Sequence, residues 1–152
     1  MIRRTKPFAK TLKALSACAA LFFATPAAAM GFTSPSGNIV CYLDVYSDVR
    51  FADLPLICLI FDAQWSFPDD YGDSDPTCDL DRTRTLILGR KGRPDERWTC
   101  HGDVFWPQPL GTISYGSEWS LLDFTCLMDE TGVTCTNGDK TMFVSRRSRS
   151  FF

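Results

Sequence analysis

From residue 30 onward, short apolar or alternating runs are separated by Gly, Pro, Asp and Asn, and helical periodicity is missing. Runs of about four to eight residues between such turn formers are typical of β-strands. The pattern therefore predicts an all-β domain, a small disulfide-stapled antiparallel sandwich or barrel. The predicted strands are Asn38–Val45, Pro55–Phe61, Thr83–Leu88, Arg97–Cys100, Leu122–Met128, Val133–Thr136 and Lys140–Ser145.

Turn signals in the last third of the chain predict how its strands pair. Asp129–Gly132 is predicted to turn one hairpin, which sets Met128 opposite Val133 and Cys126 opposite Cys135. Directly opposed residues in an antiparallel pair lie close enough for a disulfide when the pair is of the non-hydrogen-bonded type. The turn therefore predicts a bridge between these two cysteines.

A second turn signal follows at once. Asn137–Gly138 is a strong signal for a two-residue hairpin, and it predicts Cys135 opposite Lys140 and Val133 opposite Met142. Because side chains alternate between the faces of a strand, the two hairpins together give one mostly apolar face. That face is formed by Phe124, Cys126, Met128, Val133, Cys135, Met142 and Val144, whereas Leu127 and Phe143 are apolar exceptions on the opposite face.

The first 29 residues have the parts of a secretory signal peptide. A basic stretch precedes the apolar run Ala14–Ala24, and the small residues of Pro26–Ala29 follow it. The apolar run is too short to cross a bilayer, which takes about 20 residues. We predict cleavage after Ala29, export to the periplasm or the medium, and a single domain over residues 30–152.

Leu15–Cys18 offers an alternative, because it resembles a lipobox in which Cys18 would carry a lipid. A lipid-modified cysteine follows its apolar run, whereas most of the apolar residues here come after Cys18. The position of the run therefore favours cleavage after Ala29.

Removing the leader changes the charge of the protein. The chain has 16 basic and 18 acidic residues, and the leader contains five of the basic residues and none of the acidic ones. The predicted domain keeps 11 basic and 18 acidic residues, a net charge of −7. Such a charge disfavours nucleic acid and anionic membranes as partners and leaves cationic partners open. No membrane-spanning segment is predicted in the domain.

Six cysteines follow the leader, and an even number in a short exported chain predicts three disulfides with 15 connectivities. A zinc site is disfavoured because no C-x-x-C pair occurs and His101 is the sole histidine. We predict no metal and no cofactor. A hairpin with the loop Tyr46–Leu54 sets Cys41 opposite Cys58, which leaves Cys78 for Cys100. The predicted bridges are Cys41–Cys58, Cys78–Cys100 and Cys126–Cys135.

Several motifs spread along the chain resemble a family of small secreted bacterial domains of unknown function. The shared pattern runs from F-x-S-P-S-G-N-I-x-C through C-x-G-D and Y-G to G-V-T-C-x-N and F-x-S-R. The matching residues are Phe32, Ser34–Ile39, Cys41, Cys100, Gly102, Asp103, Tyr115, Gly116, Gly132–Cys135, Asn137, Phe143, Ser145 and Arg146. The resemblance implies secretion and a disulfide-stapled domain, and it brings no activity. Val104 and Thr141–Met142 depart from the pattern.

The aspartate-rich segment Phe67–Asp81 raises the possibility of a calcium site. An EF-hand loop needs alternating oxygen ligands, Gly at position six and Glu at position twelve. Counted from Asp73, Cys78 replaces the glycine and Arg84 replaces the glutamate, and a count from Asp69 fits no better. The segment is therefore interpreted as a solvated loop in which Asp and Pro form turns.

Three further segments invite chemical interpretations. His101 and Asp103 lie two residues apart, which suggests a hydrolase, yet no nucleophile motif accompanies them. Gly102–Asp103 is therefore interpreted as the start of a turn. Ser34–Ile39 has the residues of a tight turn before a strand and lacks a phosphate-loop lysine. The basic run Ser145–Arg149 is interpreted as a solvated strand end rather than a contact for anionic polymers.

Aromatic side chains provide the remaining candidates for a binding surface. A small domain needs most large side chains in its core, so only some of them are expected outside it. Trp106 and Trp119 flank the Pro- and Gly-rich segment Pro107–Gly116, and we predict them to be exposed. Together with Tyr115 they form the predicted ligand-binding set. Trp65 and Trp98 complete the group of candidates.

These observations predict an exported, non-enzymatic binding or envelope-associated module with an unknown protein or glycan partner. The alternative is a proteinaceous inhibitor of a basic secreted hydrolase such as lysozyme, which an acidic, rigid β-domain would suit electrostatically. A hydrolase that uses His101 and Asp103 is the third class, and it is the least favoured.

Overall fold

A computed structural model describes residues 29–66, 78–103 and 105–152. The aspartates of Phe67–Thr77 and the predicted leader up to residue 28 lie outside the described residues. The described part contains a short 3-10 helix, Phe51–Asp53, and no α-helix. Its strands are β1 (Gly31–Thr33), β2 (Ile39–Leu43), β3 (Leu56–Ile60), β4 (Asp81–Leu88), β5 (Asp95–His101), β6 (Gly111–Thr112), β7 (Glu118–Leu121), β8 (Phe124–Asp129), β9 (Gly132–Thr136), β10 (Thr141–Val144) and β11 (Arg149–Phe151).

The strands form two sheets, which confirms the predicted all-β class. A six-stranded sheet has the order β5-β4-β3-β2-β1-β6, and a five-stranded sheet has the order β11-β10-β9-β8-β7. Every pairing is antiparallel except that of β1 with β6. Within the described part of the chain no helix is long and apolar enough to cross a membrane.

The inner faces of the two sheets pack on each other and form the main core. The predicted apolar face of β8, β9 and β10 is buried in this core throughout. The six-stranded sheet contributes alternating residues of β2 and β3, so the two layers form a β-sandwich. Its core residues include Phe32, Ile39, Leu43, Leu56, Ile60, Leu86 and Leu88.

All three predicted disulfides are present. Cys41 and Cys58 face each other across β2 and β3, and Cys126 and Cys135 face each other across β8 and β9. Each of these two bridges therefore lies within one sheet. They meet in the core, where the sulfur atoms of Cys41, Cys58 and Cys135 lie within 4.8 Å of one another.

The hairpin between β8 and β9 has the predicted register, whereas the next hairpin is shifted by two residues. Cys135 lies opposite Met142 rather than Lys140. The reason is the side chain of Asn137, whose Oδ1 accepts hydrogen bonds from the backbone N–H groups of Asp139 (2.9 Å) and Lys140 (2.7 Å). Asn137 thus begins the turn instead of occupying its centre. Because the shift is even, the same side chains still face the core.

A second apolar cluster covers the outer face of the six-stranded sheet. Val40, Tyr42, Ile57 and Leu59 lie beneath the segment 105–110, which adds Phe105, Trp106 and Leu110. Burial is the main cause that raises the pKa of Tyr42 well above its usual range. β2 and β3 are therefore buried on both faces, which explains why they read as continuous apolar runs.

Candidate functional site: a groove at one end of the sandwich

A groove of about 980 Å³ opens at one end of the sandwich. Turns from both sheets meet there, namely the β1–β2 turn, the β8–β9 hairpin and the β10–β11 turn, together with the residues that follow β3 and precede β7. The groove is therefore built from segments that are far apart in the sequence. Its lining includes Ser34, Ser36, Asn38, Phe61, Asp62, Tyr115, Asp129, Glu130, Gly132, Phe143, Ser145, Arg146 and Arg147.

The β1–β2 turn is held tightly by its own hydrogen bonds, as the sequence predicted. The backbone N–H of Ser34 donates to Ile39 O (2.8 Å), and the Ser34 hydroxyl accepts from the Ile39 N–H (3.0 Å). Gly37 has φ 72°, which favours glycine. Asn38 exchanges hydrogen bonds with the backbone of Asp62, so this turn also positions the residues after β3.

The β10–β11 turn presents two arginines. The Ser145 hydroxyl accepts hydrogen bonds from the backbone N–H groups of Arg147 (3.2 Å) and Ser148 (3.0 Å), and this orders the turn. Arg146 forms an ion pair with Asp62 across the groove at 2.6 Å, and both side chains are exposed. An exposed pair of this kind stabilises little and can be exchanged for contacts with a ligand.

Three aromatic rings line the groove, and glycines position two of them. Tyr115 is 48% exposed in a turn where Gly116 has φ 77° and its N–H donates to Met128 O (2.8 Å). A Cβ on Gly132 would lie 2.9 Å from ring atoms of Phe143, so this glycine lets the ring lie against the backbone. Phe61, 41% exposed, is the third ring.

The predicted set of Trp106, Tyr115 and Trp119 is not brought together. Trp119 is 7% exposed in the core, so its predicted exposure is wrong. Its ring lies 5.4 Å from that of Phe32, and in the chain before the predicted cleavage its indole N–H donates to Ala29 O (3.0 Å). Trp106 is half-buried in the outer cluster, where its ring lies 5.4 Å from that of Phe61 at the edge of the groove, whereas Tyr115 lines the groove itself.

Trp65 contacts an arginine of each sheet, and Trp98 packs beside the first of them. The guanidinium of Arg84 lies 4.5 Å from the ring centroid of Trp98 and 5.6 Å from that of Trp65. Arg149, the first residue of β11, lies 4.7 Å over Trp65 and binds Glu96 with two hydrogen bonds. The last residue of the predicted solvated run is therefore a structural contact between the sheets.

His101 has a hydrogen-bond partner that the sequence did not predict. Its Nε2 lies 2.6 Å from the Thr83 hydroxyl, and its Nδ1 lies 3.1 Å from Gly102 O. Since a carbonyl only accepts, Nδ1 carries the proton in the neutral ring, and Thr83 donates to Nε2. Thr83 is 4% exposed, so its hydroxyl is covered rather than open to a substrate. Among the described residues no hydrogen bond joins His101 to Asp103.

Comparisons with protein-family models, curated protein sequences and solved protein structures found no match. Four segments that the sequence analysis singled out lie far apart in the chain and line the same groove, and they contribute Ser34, Asn38, Tyr115, Gly132, Phe143, Ser145 and Arg146. The sequence did not predict the groove because Ser34–Ile39 and Ser145–Arg149 were interpreted as a separate turn and strand end, and Tyr115 was grouped with Trp106 and Trp119 instead. The sequence signal that these segments share is a turn rich in polar residues or glycine beside an aromatic residue, as at Tyr115–Gly116, and this signal could have indicated the groove.

Proposed function

We propose that this chain is an exported, non-enzymatic binding domain that holds an envelope glycan in the end groove. The observation that supports this proposal most is the combination of three aromatic rings with exposed charged and hydroxyl side chains in one open groove. Binding sites for small polar ligands commonly combine aromatic walls with a few hydrogen-bonding groups.

Sugar rings suit this chemistry because they have both apolar and polar surfaces. The C–H face of a sugar packs against the electron-rich face of an aromatic ring, which Tyr115 and Phe61 offer at the surface. Hydroxyl and amide groups of the sugar then exchange hydrogen bonds with Asp129, Glu130 and Arg147 at the rim. Both signs of charge are present, so a ligand with mixed polar groups fits better than a polyanion.

Export is supported by the disulfides, since such bridges persist in oxidising compartments and are rare in the cytosol. A binding role is favoured over catalysis because the Thr83 hydroxyl beside His101 is buried under its neighbours. A groove with exposed aromatic rings lies elsewhere, at the end of the sandwich.

Calorimetry with soluble disaccharide-peptide fragments of peptidoglycan tests the proposal. We expect the oxidised protein to bind them and Tyr115→Ala to weaken binding about tenfold, because one stacking ring is lost. Tyr46→Ala is the matched control, since Tyr46 is also an exposed tyrosine and lies at the opposite end of the sandwich.

Two results would contradict the proposal. If the unmodified protein binds no glycan fragment, the glycan class is wrong. If Tyr115→Ala and Tyr46→Ala bind the fragments as well as the unmodified protein does, the groove is the wrong place.

A further inference from the structure

The Cys78–Cys100 bridge lies in surroundings unlike those of the other two disulfides. The four cysteines of the two core bridges are all 0% exposed, whereas Cys100 is exposed and Cys78 is half-buried. Thiol–disulfide exchange requires an attacking thiolate to reach a sulfur atom, so access decides which bridge reacts. Of the three bridges, the one outside the core is therefore open to a thiol in solution.

The strands beside this bridge are paired independently of it. Cys100 lies in β5, the edge strand of the six-stranded sheet, and Cys78 precedes β4. β4 and β5 are joined by seven residue pairs, from Asp81–His101 to Ile87–Asp95. Neither cysteine lines the groove, so the bridge lies outside the site of the proposed glycan function. Opening the bridge therefore removes a covalent link and leaves the sheets and the groove in place.

The surroundings of the Cys78 sulfur favour its protonated form once the bridge is open. This sulfur lies 3.4 Å from Leu80 O and 3.8 Å from Asp81 O. An S–H group can donate to these carbonyl oxygens, whereas a thiolate would face two partial negative charges. Hydrogen bonds to the neutral form disfavour the charged form, so Cys78 is held as a thiol. Since the thiolate is the nucleophile, re-formation of the bridge from Cys78 is slow.

We propose that Cys100 is a modification site for low-molecular-weight thiols, with glutathione as the probe. The incoming thiolate forms a bond to the Cys100 sulfur, the Cys78–Cys100 bond breaks, and Cys78 leaves with the electron pair. Cys78 then takes the proton that the incoming thiol released. One disulfide replaces another, so no further oxidant or reductant is consumed. The product has a mixed disulfide on Cys100 and a hydrogen-bonded thiol on Cys78.

Incubation of the oxidised protein with reduced glutathione, followed by acid quenching, alkylation and peptide mapping, tests the inference. We expect one glutathionyl group on Cys100, an alkyl group on Cys78 and two intact core bridges. Peptide mapping separates these positions from Cys18 of the predicted leader.

The core bridges are the internal control for access. They react only in molecules that open globally, so the Cys78–Cys100 bridge should react more than about a thousandfold faster in the folded protein. In a urea concentration that unfolds the protein, all three bridges are accessible, and their rates should agree within about tenfold.

Two serine variants that lose the same bridge test the difference between its sulfur atoms. Cys78→Ser leaves Cys100 as a thiol, and Cys100→Ser leaves Cys78 as a thiol. With oxidised glutathione at the same pH, we expect the Cys100 thiol to react about tenfold faster or more, because Cys78 is held protonated. Mass spectrometry measures both rates, and circular dichroism checks that both variants are folded.

The inference is overturned by a glutathionyl group on Cys78 or on a core cysteine, and by the absence of any adduct. Equal rates for the three bridges in the folded protein would reject it as well. A Cys78 thiol that reacts as fast as the Cys100 thiol would also contradict it. None of these results depends on glycan binding, so the inference and the proposed function fail independently.

Discussion

Gly31→Ala is expected to destabilise the fold by about 3 kcal/mol or more, which is at the upper end for an overpacked site. A Cβ at this position would lie 2.1 Å from the carbonyl oxygen of Cys41 and 2.6 Å from the Cα of Tyr42. Both are backbone atoms of β2, so no side-chain rotation relieves the clash. β1 would have to move away from β2, which would disturb Phe32 in the core.

Urea unfolding of Gly31→Ala beside Gly111→Ala measures this effect. Gly111 lies on β6, which pairs with β1, and a Cβ there meets no described atom within 4 Å. The control should change stability by less than about 0.5 kcal/mol. Equal stability of the two variants would mean that β1 does not approach β2 as closely as the structure describes.

Replacing both Cys41 and Cys58 by alanine is expected to have the second large effect. The bridge spans 17 residues, for which the chain-entropy relation gives about 3 kcal/mol. Both cysteines are fully buried, so removal of the sulfur atoms also leaves unfilled space in the core. The total loss should therefore exceed the entropic part by about 1 kcal/mol or more.

The double alanine variant at Cys78 and Cys100 separates these two contributions. Its bridge spans 22 residues, so the entropic loss is nearly the same, but Cys100 is exposed and little packing is lost. Unfolding free energies of both variants provide the comparison. A core variant as stable as this control would show that the buried sulfurs contribute nothing through packing.

The pairings of β2 with β3 and of β8 with β9 were predictable from the sequence, whereas the β9–β10 pairing was predicted two residues out of register and the β1–β6 pairing was not predicted. The turn Asp129–Gly132 specified its register because two strands of alternating residues flank it directly. β1 and β6 have only three and two residues, which is too short for a periodic pattern. Their parallel pairing sets Phe32 opposite Gly111, and these residues are far apart in the sequence. No local signal encodes such a contact.

The groove and the position of Trp119 were missed for related reasons. Tyr115 and Phe143 were visible in the sequence, but only the sandwich brings their turns to the same end. Trp119 lies beside a Pro- and Gly-rich segment, which suggested exposure, whereas β7 pairs with β8 and points this ring inward, opposite Cys126. The pairing of β7 with β8 therefore determines which way the Trp119 ring points, and the Pro- and Gly-rich segment beside it does not.

The disulfides of the two sheets lie close enough in the core for thiol–disulfide exchange between them. In a Cys41→Ser variant the freed Cys58 thiolate would lie within 4.8 Å of the Cys135 sulfur. Its attack on that sulfur would create a Cys58–Cys135 bond and release Cys126 as a thiolate, with no oxidant or reductant consumed. A disulfide within the five-stranded sheet would thereby be replaced by a disulfide that joins the two sheets, β3 to β9. Incomplete oxidation of the native cysteines can therefore trap a non-native isomer in which the two sheets are covalently linked.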